Sequence, residues 1–172
     1  VAPYIETQGL LSSGTYLKRV YIFGVDNKYE KNVSTIENHF IEGSLDSLED
    51  NDYNLVIGDI LAIQLGLRVG DSVNILVPET VLGLAGILPR TKKFKITGIF
   101  SLGAPEIDQS YVYLNIDNAS KLLRTGDYVH GIRIRYSNLF NSKDNIKSDL
   151  LRVNKEFQAN YKASTWETSY GT

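Results

Sequence analysis

The order of apolar and polar positions changes period several times along the chain, and each change marks an element. Residues 4–11 and 17–25 are rich in Tyr, Ile, Val and Phe, with Ser12-Ser13-Gly14 between them, and predict a β-hairpin. Residues 27–38 are polar and poorly periodic and read as a loop with one helical turn. A short strand follows at 54–57. Gly58-Asp59 then caps a helix over 60–65, and Gly66 is placed to stop it. From Gly70-Asp71 the period becomes two: Val73, Ile75 and Val77 alternate with Ser72, Asn74 and Leu76, and Phe94, Ile96 and Gly98 alternate with Lys93, Lys95 and Thr97. Residues 111–114 predict another strand, leading through Asp117 as N-cap into a helix over 118–124. Ile132, Ile134 and Tyr136 alternate with Arg133 and Arg135, which places both guanidinium groups on a solvent face. Ile146, Leu150, Val153 and Phe157 form the apolar stripe of a last helix over 145–157. Strands and helices interleave without a βαβ rhythm, so the expected class is α+β.

The segment that breaks the pattern joins the two alternating strands. Between Pro78 and Pro89 lie ten residues, and six of them (Val81, Leu82, Leu84, Ala85, Ile87, Leu88) are hydrophobic. Hairpin loops usually take about two to five residues, and longer ones tend to carry a function. An apolar loop projecting from a sheet marks a partner site. The same leucines also suit an extra layer of core, where most large apolar residues end up. The cations just beyond, Arg90, Lys92 and Lys93, serve equally as an electrostatic docking patch or as guards on a strand edge.

Composition narrows the function. The chain has 172 residues, 42% hydrophobic and 22% charged, as expected of a folded domain. Its 18 basic and 20 acidic side chains leave a net charge of −2, which offers no basic field for nucleic acid. Cysteine is absent, which removes thiolate ligands, thiol nucleophiles and disulfides. No apolar run approaches the roughly 18 to 20 residues of a membrane helix. The first residue is Val1 rather than Met, which suggests an excised fragment. His39 and His130 belong to no ligand or triad spacing. HExxH, GxSxG, P-loop and GxGxxG motifs are missing. Glu106 and Asp108, two residues apart after Ala104-Pro105, suit a solvated turn better than a catalytic carboxylate pair. No catalytic residue, metal site or cofactor is therefore expected.

The order of short motifs carries a resemblance across essentially the whole chain. Leu65-Gly66-Leu67-Arg68-Val69-Gly70-Asp71-Ser72-Val73, then Val77-Pro78, Leu88-Pro89-Arg90, Phe94-Lys95-Ile96-Thr97-Gly98-Ile99-Phe100 and Asn115-Ile116-Asp117-Asn118-Ala119-Ser120-Lys121-Leu122-Leu123 resemble the periplasmic domain of lipoprotein-releasing ABC permeases of the LolC/LolE/LolF type. Ala2-Pro3-Tyr4-Ile5 at the start and Trp166 near the end resemble it too. The resemblance implies a two-lobed fold shared with MacB-type exporters, with a porter lobe at 1–69 and 130–172 and a mainly β sabre lobe inserted at 70–129.

In that family a hook loop of the sabre captures the soluble chaperone LolA. Here it corresponds to about 78–91, with Thr80, Val81, Leu82, Gly83, Leu84, Ala85, Gly86, Ile87, Leu88 and Pro89 as contact residues. Leu84 and Ala85 stand where the family often has Pro-Met. A pad beside the hook would be Asn74, Arg90, Thr91 and Lys92. The implied setting is the periplasmic face of the inner membrane, with lipoproteins as cargo, a second permease subunit, and a separate LolD-like ATPase. The domain itself would be non-catalytic. The alternatives are a MacB-type efflux or toxin exporter, a LolE-like subunit contacting lipoprotein, and, more distantly, a hydrolase or carbohydrate-binding module.

Overall fold

A computed structural model describes residues 1–48, 52–78, 89–136, 142–158 and 160–164. The chain opens with β1 (Ala2–Ser13) and β2 (Tyr16–Val25), paired from Tyr4↔Val25 to Ser13↔Tyr16 as the expected hairpin. Where a loop was expected, Asp26 caps a full helix, α1 (Asn27–Val33), its carboxylate accepting the Lys28 N–H at 3.0 Å. The aspartate cap outweighs the weak periodicity of the seven residues that follow. A 3₁₀ turn (Ile36–His39) and β3 (Phe40–Glu42) come next, neither marked by a sequence signal.

The middle of the chain follows its pattern closely. β4 (Asn54–Gly58) runs into α2 (Asp59–Leu65), which ends at Gly66 in the left-handed region at φ 63°. β5 (Ser72–Val77) and β6 (Arg90–Phe100) pair antiparallel. After α3 (Pro105–Asp108) and β7 (Tyr111–Asn115) comes α4 (Ile116–Leu123). Its cap is Asn115 rather than Asp117: the Asn115 side chain accepts the Asp117 N–H at 2.7 Å and donates to the Leu48 carbonyl at 3.2 Å. β8 (Gly131–Arg133) joins the start of β1. The expected solvent face is corrected in part here: Arg135 is exposed as expected, but Arg133 turns inward to Glu30, and Ile132 and Ile134 face outward.

The strands form one sheet in which β2, β7, β4, β6, β5 and β1 are successive neighbours, and β1 returns to β2. Six strands therefore close into a ring. One face of all six supplies a core of Ile5, Leu11, Val20, Ile22, Leu55, Ile57, Val73, Ile75, Val77, Phe94, Ile96, Val112 and Leu114, joined by Leu61 from α2 and Leu122 from α4. The other face of β2, β4 and β7 packs Phe23, Val25, Val56 and Tyr113 against Ile36, Leu45, Leu48 and Phe100. β6 changes side between these clusters, because its register against β4 shifts after Leu55↔Ile96 to Val56↔Gly98. Ile96 thus faces the first cluster and Phe100 the second.

Residues Val1–Arg135 form one compact unit and Tyr136–Thr172 another. Strands from both of the stretches that the resemblance assigns to separate lobes hydrogen-bond within the single sheet of the first unit. The second unit contains α5 (Ser142–Phe157), three residues longer at its start than the sequence implied. Ile146, Leu150 and Val153 of its stripe are half-buried, and the Tyr136 hydroxyl donates to Asp149 at 2.9 Å.

Candidate docking site

The hook residues Thr80 to Leu88, and Trp166, lie outside the described residues. The residues that flank the expected hook are described. Val77 and Arg90 are the last register pair of the β5–β6 ribbon, so the two ends of the intervening segment leave the sheet side by side. Pro78 and Pro89, on either side of that segment, are both exposed.

Register then sorts the pad onto two faces. Asn74 pairs with Lys93 and Leu76 with Thr91, which puts Asn74 and Thr91 on the face opposite the ring core, with Lys93 beside them. Ile75 pairs with Lys92 and Val77 with Arg90, so Lys92 and Arg90 sit on the core-facing side, beside the last buried residues of β5. There the Arg90 Nη1 donates to the Leu122 carbonyl at 3.3 Å, near the end of α4, a favourable place for a cation. The Lys92 ammonium lies 3.9 Å from the centroid of the Tyr53 ring.

The outer face continues across the neighbouring strands. Leu76 pairs with Leu10 of β1 and Leu10 with Arg19 of β2; Asn74 pairs with Ser12 and Ser12 with Leu17. The result is a row of Arg19, Leu10, Leu76 and Thr91 beside a row of Leu17, Ser12, Asn74 and Lys93. Leu17 is 59% exposed and Leu10 36%. The face is mixed apolar and basic. Sequence reasoning missed Leu10, Leu17 and Arg19, because only the β1–β5 pairing brings them beside the ribbon. At its rim a hollow of about 400 Å³ is lined by Asp52, Tyr53, Ser72, Thr91, Lys92, Lys93, Phe94 and Lys95.

The other candidate chemistry separates. Asp108 does not solvate a turn: it is buried, and its carboxylate accepts the Leu102 and Ala104 N–H groups at 2.8 and 3.1 Å, while Glu106 is exposed. The His39 Nδ1 lies 2.8 Å from the Thr35 carbonyl, and His130 meets the backbone of Glu6. Among the described residues no three His, Asp or Glu side chains gather as a metal site, and no helix is long and apolar enough to cross a membrane.

Comparison with known proteins gives this geometry a context. No family model matches the chain. The lipoprotein-releasing system transmembrane protein LolC of Xylella fastidiosa (strain Temecula1) is 36% identical over 154 residues, covering 89% of this chain and 37% of the relative. LolC of Neisseria meningitidis serogroup B is 30% identical over 78% of this chain and 32% of its own length. LolE of Haemophilus influenzae is 26% identical over 99% of the chain and 40% of its own length. The chain thus spans well under half the length of these relatives. Among solved structures, the extracellular domain of the ABC-type transporter YknZ from Gram-positive bacteria superposes with a TM-score of 0.62 at 12% identity, over 92% of this chain and 76% of that one. The periplasmic region of MacB from Actinobacillus actinomycetemcomitans gives 0.56 at 16% identity, over 90% of this chain and 65% of that one. At these identities the structural likeness speaks for the fold, and the sequence relatives speak for the family. Over most of its length the chain is a homologue of part of the lipoprotein-releasing system transmembrane proteins LolC and LolE, and it has the fold of MacB-like extracytoplasmic domains.

Proposed function

We propose that this chain is the periplasmic domain of a LolC-like permease, and that it docks a LolA-like lipoprotein chaperone through residues 78–91 and the outer face of the β5–β6 ribbon. The observation that carries the reading is the register pair Val77↔Arg90, which sets both ends of a proline-flanked apolar segment side by side at the tip of a two-stranded ribbon. A buried Leu or Ile contributes about 1.5 to 3 kcal/mol, against an association cost of roughly 4 to 15 kcal/mol. A contact of this size is transient, which suits handing cargo onward. Asn74, Thr91 and Lys93 form the pad beside the hook, while Arg90 and Lys92 anchor the ribbon from its other side. The domain does no chemistry: ATP hydrolysis by a LolD-like subunit reaches it through the membrane segments of a permease pair, and its movements pass lipoprotein from the inner membrane to the chaperone.

Replacing Leu84 and Ile87 together by Asp tests the hook. Capture of purified chaperone should be lost while circular dichroism and melting stay unchanged, and retained capture would remove the hook. Lys93→Glu should weaken capture by roughly fivefold or more at low salt, and Lys92→Glu should leave it within about twofold; equal effects would mean that the two faces are not distinguished. The second reading, a LolE-like subunit that touches lipoprotein instead, draws on the 26% identity to LolE across 99% of the chain. It predicts capture of lipoprotein without chaperone.

A further inference from the structure

β8 is built inside out. Ile132 is 60% exposed and Ile134, just beyond the strand, 52%. The charged residue between them points inward: Arg133 Nη1 lies 3.0 Å from Oε1 of Glu30, which is fully buried on α1. The guanidinium sits over two aromatic rings, 5.2 Å from the centroid of Tyr4 and 5.9 Å from that of Phe23. Its Nε and Nη2 are buried without a hydrogen bond among the described residues. At the strand's other end the His130 N–H donates to the Tyr4 carbonyl at 3.0 Å, and the His130 Nδ1 lies 2.7 Å from the Glu6 carbonyl oxygen.

A half-buried strand ordinarily owes its place to an apolar face pressed on a core. β8 has no such face. Among the described residues, its three residues pair only with Ala2, Pro3 and Tyr4, and none of Gly131, Ile132 and Arg133 is a buried hydrophobic. The attachment rests on a short ladder, a histidine, and the Arg133 side chain with its one charge pair and its place over the Tyr4 and Phe23 rings. Shortly after it, at Tyr136, the chain enters the second compact unit, so β8 is the last strand of the first. An incompletely satisfied buried pair is a poor source of net stability, yet removing one partner is costly, because the other is left charged in a dry site. Such a pair favours two conditions of the strand, docked with the pair made or detached with Arg133 in water, over gradual loosening.

We propose that β8 is a detachable strand, clasped to the first unit by the Glu30–Arg133 pair rather than by apolar packing. When the clasp opens, the start of β1 loses its partner on that edge, and the stretch before the second unit is freed. This inference stands apart from the docking reading, since it involves neither the hook nor the pad.

Hydrogen exchange on the full chain, read by mass spectrometry with fragments covering 131–133, tests it. In the parent, β8 amides should exchange at least about tenfold faster than those of β2 and β7, since β8 itself contributes no buried apolar side chain. Arg133→Ala should speed them by a further tenfold or so. Glu30→Gln combined with Arg133→Ala should do the same without leaving an orphaned carboxylate, and this variant decides the matter if the single change unfolds the chain. Ile132→Ser with Ile134→Ser should leave β8 exchange unchanged. The proposal fails if β8 is protected as well as β2 and β7, if the double variant exchanges like the parent, or if the isoleucine replacements open the strand.

Discussion

Glu30 shows how a single side chain ties local chemistry to stability. Burial pushes its carboxyl above the ordinary glutamate value, and the pull of the Arg133 guanidinium, with the Ser34 hydroxyl, only partly offsets this. The folded chain therefore keeps a proton at a pH where the unfolded chain has released it. The stabilisation is fully present below the ordinary value of 4.5 and is lost as pH rises through the higher folded value. Urea unfolding measured across that window should show parent stability falling relative to Glu30→Gln as pH rises, and a constant difference would contradict the assignment. Gly58 is a second decisive residue. Its φ of −70° suits any amino acid, but a Cβ there would collide with the Asp108 backbone carbonyl. Gly58→Ala should cost roughly 1 to 3 kcal/mol by overpacking, read as a lower urea midpoint at unchanged m-value.

At the level of elements, the legible parts were those in which one physical signal acted alone. Alternation identified β5 and β6, and Gly66 in the left-handed region ended α2 as expected. Apart from α1, whose cap at Asp26 is local, the misreadings came from tertiary partners. Asn115 won the cap of α4 over Asp117 because its amide also reaches the Leu48 carbonyl, an interaction no local pattern contains. Asn115→Ala should cost about 1 to 2 kcal/mol in chemical unfolding, from the loss of a cap together with a buried hydrogen bond. β8 reversed its expected faces because a buried glutamate 103 positions earlier outweighed two isoleucines. The candidate site divides the same way. The ribbon was visible in the sequence, but which pad residues share a face depended on register, and the contribution of β1 depended on a long-range pairing.

For the molecule as a whole, closure of the sheet makes the two clusters interdependent. β2, β4, β6 and β7 each send side chains into both, so neither can loosen without disturbing strands of the other. Phe94→Ala in one and Phe100→Ala in the other should each remove roughly 3 to 5 kcal/mol. Both should shift one unfolding transition of the first unit, seen alike by circular dichroism and by exchange in β2; separate transitions would show that the clusters melt independently.

Closure also decides how the β5–β6 tip would bear a pull. Tension applied along the strands at Val77 and Arg90 acts on both members of the ribbon in the same direction, so their mutual ladder carries little of it. The burden passes to the flanking ladders, β5 to β1 at residues 74–76 and β6 to β4 at residues 95–100. Those bonds lie across the strands and are strained together rather than one after another. A tug on the tip is thus met in shear, the direction in which a sheet yields least, and reaches the rest of the ring before the ribbon can unzip.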